Sequence, residues 1–217
     1  MSSPDFSAAA EQNRQPILAK LQQILPAHGQ ALEIASGTGQ HAAWLASHLP
    51  GWTWQPTDIG TDAFRSIRHY AQQAGATRVL PAQVLDVCAD VWLPGRGTAD
   101  AAPLQFDLIF CANMLHIAPW AACAGLMQGA ARHLAPDGVL VTYGPYLEKD
   151  VITTQSNLDF DASLRQRNAQ WGVRWREDVM QQARQVGLCL TQRHTMPVNN
   201  LLLVWTRDPA SAMPASR

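Results

Sequence analysis

The sequence predicts an α/β fold: a doubly wound, Rossmann-like sheet of seven strands, mostly parallel, whose last strand returns antiparallel. Three observations carry this. The run Leu32-Glu33-Ile34-Ala35-Ser36-Gly37-Thr38-Gly39-Gln40-His41 reads as a strand, a tight glycine turn and a helix start. Apolar runs then alternate with segments of helical spacing. Near the end, Leu188 to Met196 and Asn200 to Thr206 are joined only by Pro197-Val198-Asn199, a connection that forces the two strands antiparallel. A chain of 217 residues suits one such domain, 1–217, with 1–28 as an N-terminal helical cap, 147–176 as a substrate lid and 208–217 as a frayed tail.

Ser7 to Leu25 reads as a helix with Leu18, Leu21 and Leu25 on one face and Pro16 expected to break or kink it. It should cover the ligand edge of the sheet, where Asn13 or Arg14 is a candidate for a cofactor's carboxylate; the alternative is a solvated helix terminus. In the glycine turn, Gly37 and Gly39 remove side chains that would hold a ligand off the backbone, and the helix amides beyond are unpaired donors. Gly37-x-Gly39-x-x-Ala42 also fits the dinucleotide fingerprint, so Glu33 decides. A pyrophosphate at the helix N-terminus would meet that carboxylate unfavourably. S-adenosylmethionine (SAM) has no phosphate and brings a sulfonium and an ammonium, worth about 1.5–3 kcal/mol for a charge-assisted hydrogen bond. SAM is therefore the preferred cofactor over NAD, with a purely structural turn as the remaining alternative.

Trp52 to Asp58 reads as a second strand, and Asp58 falls about twenty residues past the glycines, where such folds bring an acid to ribose hydroxyls. A helix cap is its alternative role. After a helix from about Asp62 to Ala74, Val79 to Leu85 reads as a third strand closed by Asp86. There Asp86 would accept from an adenine amino group between Leu85 and Val87, or simply cap a loop. Pro94 to Pro103 reads as a mobile surface loop, and Phe106 to Cys111 as a central strand buried on both faces.

The segment Ala112-Asn113-Met114-Leu115-His116-Ile117-Ala118-Pro119-Trp120 occupies the rim where open sheets bind ligands. Asn113 offers an amide for the cofactor's methionine end, His116 a base near neutrality or a structural donor, and Trp120 a flat apolar wall. The segment lacks the prolines and aromatic expected of exocyclic-amine DNA methyltransferases. Ala121 to Leu134 reads as a helix, Pro136-Asp137-Gly138 as a turn, and Val139 to Tyr143 as the fifth strand. From Leu147 to about Arg174 the chain is polar with little periodicity and reads as the lid. Glu177 to Val186 is the last helix.

With 16 basic against 17 acidic residues the net charge of -1 offers no field for nucleic acid or an anionic membrane, so a small-molecule partner is expected. Cys88, Cys111, Cys123 and Cys189 have no CxxC or zinc-like spacing and read as reduced, buried thiols with no metal. The N-terminal residues lack a basic-then-apolar leader and no run is long enough to span a bilayer, so a cytoplasmic location is expected. Oligomeric state is not readable.

The glycine-loop run, Trp54-Gln55-Pro56-Thr57-Asp58, Asn113 to Trp120, Tyr143-Gly144-Pro145-Tyr146, Ser156 to Asp161 and Met196 to Asn200 together resemble the methyltransferase-like protein 26 family, from about Ser3 to Arg207. The resemblance implies the class I SAM-dependent methyltransferase fold with a SAM site at Glu33, Gly37, Gly39, Asp58 and Asp86. It implies no particular substrate. Ala35 stands where many class members have glycine. Blocks peculiar to the family place His116, Tyr146, Asn157, Asp159 and Asn200 among the acceptor-pocket candidates. The expected assignment is therefore Arg14, Glu33, Gly37, Gly39, Asp58, Asp86 and Asn113 for the cofactor, and Trp120, Tyr143, Asn157, Asp159 and Asn200 for the substrate. His116 and Tyr146 are the catalytic candidates. The expected reaction is methyl transfer from SAM, leaving S-adenosylhomocysteine (SAH), to an O, N or S nucleophile of a small molecule. A non-catalytic SAM-binding protein, an NAD-dependent oxidoreductase and a macromolecular acceptor remain alternatives.

Overall fold

The structure is a computed structural model that describes residues 4–93 and 103–209. Its first half comprises α1 (Ala8–Ile24), β1 (Gly29–Ile34), α2 (Gln40–His48), β2 (Trp52–Asp58), α3 (Phe64–Gln73), β3 (Gln83–Val84) and β4 (Phe106–Ala112). After a single 3-10 turn at Leu115–Ile117 come α4 (Trp120–His133), β5 (Leu134–Leu147), α5 (Gln155–Arg167), β6 (Arg174–Trp175), α6 (Arg176–Gln185), β7 (Leu188–Met196) and β8 (Asn200–Arg207).

Seven strands run in the order β3-β2-β1-β4-β5-β8-β7, with short β6 pairing beside β5. β1 to β5 are mutually parallel, and β8 runs antiparallel to both β5 and β7. The hairpin between β7 and β8 closes through Val198 and Asn199 at φ 58 and 56, a two-residue left-handed turn whose twist suits antiparallel strands. The predicted architecture is the one observed.

The central strands β1 and β4 are buried along most of their length because helices cover both sheet faces. On one face, α4 and α6 bury Leu126, Met127 and Val179 in a layer with Ile109 and Trp205. On the other, α1 and α2 bury Ile17, Leu21 and Leu45 in a layer with Trp54, Phe110 and Tyr143. Each fully buried large aliphatic side chain contributes roughly 1.5–3 kcal/mol. In α4 the absence of a side chain at Gly129 admits the Trp92 ring, whose nearest atom lies 1.8 Å from where a Cβ would stand.

Several local expectations are corrected. α1 runs uninterrupted through Pro16, which removes one helical hydrogen bond without ending the helix. The third strand shrinks from 79–85 to Gln83–Val84, with an isolated bridge at Val79, because Pro81 has no amide to extend the ladder. β5 begins at Leu134 and absorbs Pro136-Asp137-Gly138 through a register shift opposite Phe106 and Leu108. The lid contains the regular helix α5; only its Leu164 is buried, so an apolar stripe was never available to announce it. Of the four free thiols, Cys111 and Cys123 are buried, Cys189 is half-buried and Cys88 is exposed. The predicted loop at 94–103 and tail at 208–217 fall largely outside the described residues. Among the described residues no helix is long and apolar enough to cross a membrane, and no group of three or more His, Cys, Asp or Glu is placed to hold a metal.

Candidate functional site

β1 ends in a loop that turns through left-handed backbone at Ala35 (φ 53), Gly37 (φ 53) and Gly39 (φ 84). The two glycines do different work. At Gly39 a Cβ would lie 2.5 Å from the Ile67 backbone, so this glycine lets the loop pack on α3; at Gly37 nothing stands within 4 Å, and the backbone is open. The loop is tied to β2 by the Ser36 amide donating to the Thr57 carbonyl at 2.8 Å and by the Gly37 amide donating to Asp58 Oδ2 at 2.8 Å.

Beside Gly37 opens a cavity of about 600 Å³ at the carboxyl ends of β1, β2 and β4. Asp58, Asp86 and Asn113 line it from the strand ends, Ser7 and Ala10 from α1 and its cap, and His41 from α2. Asp58 Oδ1 accepts from its neighbour Ile59 at 2.8 Å, and Asp86 Oδ1 accepts from the Cys88 amide at 2.8 Å. No lysine or arginine is among the lining residues. Among the described lining residues, those two carboxylates are the acidic side chains.

Glu33 sits behind this wall rather than in it. Its buried carboxyl accepts from the Trp54 indole at 2.6 Å, and burial, reinforced by nearby Asp58, pushes its pKa up to about 8. At neutral pH it is a protonated acid. The negative charge expected at the end of β1 is therefore carried by Asp58, one strand over.

α1 closes the cavity through side chains rather than through Arg14. Arg14 pairs with Glu11 at 2.5 Å and lies 4.1 Å over the Trp44 ring, outside the cavity lining. Asn13 points inward, its Oδ1 2.6 Å from His41 Nε2; the Tyr143 hydroxyl lies near the side chains of Asn13 and Asn200, and burial raises its pKa. Burial, then the Arg14 charge, lowers the His41 pKa to about 4, so the neutral ring donates from Nε2 to the amide oxygen. The His41–Asn13 pair carries no net charge.

At the end of β4, Asn113 adopts φ 58 with its amide donating to the Tyr143 carbonyl at 2.8 Å. The 3-10 turn that follows holds His116, braced by Arg174 donating to the carbonyls of Leu115 at 3.0 Å and Ala118 at 2.6 Å. Burial, then the Arg174 charge, lowers the His116 pKa to about 4. Its ring meets Phe160 of α5 edge-on at 5.5 Å and makes no hydrogen bond among the described residues. His116 and Asn113 converge on one point: a Cβ at Gly144 would lie 3.5 Å from His116 Nδ1 and 3.7 Å from Asn113 Oδ1.

A second, smaller pocket of about 130 Å³ opens beyond β5, lined by Tyr146, Asn157 and Asn200. The Tyr146 hydroxyl turns away from it and donates to Thr142 Oγ1 at 2.8 Å, and burial raises its pKa well above the usual tyrosine range. Trp120 stacks at 5.6 Å under Arg174, and exposed Asp159 accepts from Gln155 at 2.8 Å; neither lines a pocket.

The structure thus brings Gly37, Asp58, Asp86 and Asn113 into one cavity and Tyr146, Asn157 and Asn200 into another; His116 faces Asn113 at Gly144. Arg14, Glu33, Gly39, His116, Trp120, Tyr143 and Asp159 line neither. His41 was missed in the sequence reading although it directly follows the glycine turn in the first turn of α2, which is the signal that marks it. Ser7 and Ala10 carry no local signal.

Solved structures share this architecture. An O-methyltransferase family protein from Burkholderia thailandensis superposes at TM-score 0.74 with 17% identity, over 93% of this chain and 57% of that one. The mitomycin 7-O-methyltransferase MmcR gives TM-score 0.73 at 14% identity, over 92% and 54%. A methyltransferase in calicheamicin biosynthesis, in its SAH-bound form, gives TM-score 0.73 at 14% identity, again over 92% and 54%. The likeness is one of fold, and the chain spans little more than half the length of each of these proteins. A family model described as protein of unknown function, DUF938, matches residues 4–207, and the chain belongs to that family.

Proposed function

We propose that this protein is a SAM-dependent methyltransferase for a small-molecule O, N or S nucleophile, of the kind suggested by its motif resemblance to the methyltransferase-like protein 26 family. The observation that carries this reading is the cavity at the ends of β1, β2 and β4, bounded by the open backbone of Gly37 and lined by two carboxylates with no lysine or arginine among the described residues. Its volume of about 600 Å³ suits a nucleoside-sized ligand. A dinucleotide's pyrophosphate would face the two carboxylates unpaired, whereas a ligand with a cationic centre is favoured by them. The SAH-bound calicheamicin methyltransferase adds support at the level of fold.

Asp58 has roughly four lone-pair sites and spends two on backbone amides, leaving two for ribose hydroxyls. Asp86 keeps its Oδ2 for an exocyclic amine, with Leu85 and Val87 as apolar sides of the same wall. Asn113 offers its amide to the amino-acid end. Bound SAM supplies an electrophilic methyl group. His116 is the base of this reading on geometry: its Nδ1 faces the same point as Asn113 Oδ1 and its ring has no hydrogen-bond partner among the described residues, while burial and the Arg174 charge keep it neutral at the cost of basicity. Tyr146, with its hydroxyl committed to Thr142, contributes its ring to the acceptor pocket. Holding acceptor and donor in line is the larger part of the catalysis, worth up to about 7–11 kcal/mol.

Calorimetric titration of the purified protein with SAH and, separately, with NAD tests the cofactor. SAH binding without NAD binding is the expected result; NAD binding alone, or neither, overturns the proposal. Transfer of label from methyl-labelled SAM to small-molecule extracts then separates an enzyme from a non-catalytic SAM binder.

A further inference from the structure

The pocket of about 130 Å³ beyond β5 is close in size to cavities of about 150 Å³ that take a benzene ring. Tyr146, Val151 and Leu201 are among its apolar lining, Ile152 stands exposed at its rim, and Thr153 and Asn157 give it a polar edge. Two separate elements set it beside His116. On α5, Asn157 lines the pocket and Phe160, three residues on along the same helical face, contacts His116; the step along the axis is about 4.5 Å. On β5, Gly144 is the point on which His116 and Asn113 converge, and Tyr146, two residues further on the same side of the strand, forms a pocket wall.

The charges at this pocket are already spent on one another. Glu148 receives both Arg176 and Arg193, Arg193 through Nε at 2.7 Å and Nη2 at 2.5 Å, while Arg193 Nη1 donates to Thr195 at 3.0 Å. A charged ligand finds no unpaired counter-charge among these described lining side chains, so its charge adds little to binding. By contrast, the Thr153 hydroxyl and the Asn157 amide oxygen have no partner among the described residues. The roof is fastened to the turn between β7 and β8 by Asn157 Nδ2 donating to the Asn199 carbonyl at 3.3 Å and Asn199 Nδ2 donating to Ser156 Oγ at 3.1 Å.

We propose that this pocket receives the non-reacting part of the acceptor, and that this part is a neutral, ring-sized group carrying a hydrogen-bonding substituent. The assignment to an acceptor rests on the methyltransferase reading above. The pocket then acts as a size and charge filter on the α5 face whose Phe160 contacts the base.

The test is saturation-transfer NMR on the full chain with phenol, benzoate and benzylammonium as probes, SAH present, on the native protein and on two variants. Thr195 and Thr191 both lie exposed on β7, but only Thr195 lines the pocket, so Thr195→Phe fills it and Thr191→Phe leaves it open. Phenol should bind the native protein and Thr191→Phe alike, at least about tenfold more weakly to Thr195→Phe, and in preference to either ion. Absence of phenol binding, equal binding by Thr195→Phe, or preference for an ion overturns the proposal. SAH titration of the same samples separates the two readings. SAH binding without phenol binding removes the pocket assignment alone, whereas phenol binding without SAH binding removes the methyl-transfer reading and the acceptor with it.

Discussion

The Gly37 amide donates to Asp58 Oδ2 at 2.8 Å, joining the open glycine of the first loop to the acid at the end of β2. One carboxylate thus shapes the loop and faces the cavity. Asp58→Ala should weaken SAH binding by about 1.5–3 kcal/mol, roughly 10- to 150-fold, through loss of charge-assisted acceptance. Titration calorimetry measures it; an unchanged affinity removes Asp58 from cofactor binding.

Stability should peak near pH 6.5. His41 and His116, ordinarily near 6.5, are lowered to about 4 in the folded protein, and His133 and His194 are lowered as well. Below 6.5 the unfolded chain binds the extra protons, so stability falls with falling pH, by about 1.4 kcal/mol per unit for each fully shifted group. Glu33 has the opposite sign. Raised from 4.5 to about 8, it keeps its proton folded and loses it unfolded, so stability declines as pH rises between those values. From 4.5 to 6.5 the histidines outweigh it, and from 6.5 to 8 it acts against no histidine. Urea midpoints across this range check the maximum, and Glu33→Gln should abolish the decline on the alkaline side.

His116→Ala should lower kcat by about 10²- to 10⁴-fold while leaving SAH affinity intact. In the native protein, a rate limb due to His116 as proposed base should rise through pH about 4 and be flat above about 5, since the neutral form would be the active one. Single-turnover rates across pH, once an acceptor is in hand, decide this. A variant that turns over like the native protein assigns the proton to water.

Ala35 holds φ 53, a left-handed conformation that glycine adopts without strain. Ala35→Gly should raise stability by about 0.5–1 kcal/mol despite the added freedom of the unfolded chain. Thermal or urea denaturation measures it. A loss of stability would mean that the alanine methyl, at the cavity wall, contributes more packing than its backbone loses.

The parts of the molecule that could be read from sequence are those whose physics is local. Gly37, Asp58 and the apolar runs of β1 and β4 announce themselves because a glycine turn, an acid at a strand end and two-sided burial each leave a pattern within ten residues. What stayed hidden depends on neighbours distant in the chain. Glu33 reads as an anion, yet Trp54 and the surrounding core make it a neutral acid. Arg14 reads as a ligand group, yet Glu11 and Trp44 hold it on the outer side of α1. Tyr146 reads as a reactive hydroxyl, yet Thr142 occupies it. α5 escaped detection for the reverse reason: a helix that buries only Leu164 has no stripe to display.

The placement of α1 also bears on how the chain is made. Ile17, Leu18 and Leu21 join a core layer whose other members include Tyr143 of β5 and Leu202 and Val204 of β8. During synthesis from the N-terminus, α1 leaves the ribosome long before that layer has its remaining walls. Its apolar face stays unmatched until β8 has emerged, so the cavity at the strand ends, which α1 closes, is among the last features to mature. A nascent chain halted before β8 should therefore be open to proteases near α1 even with its glycine loop already translated.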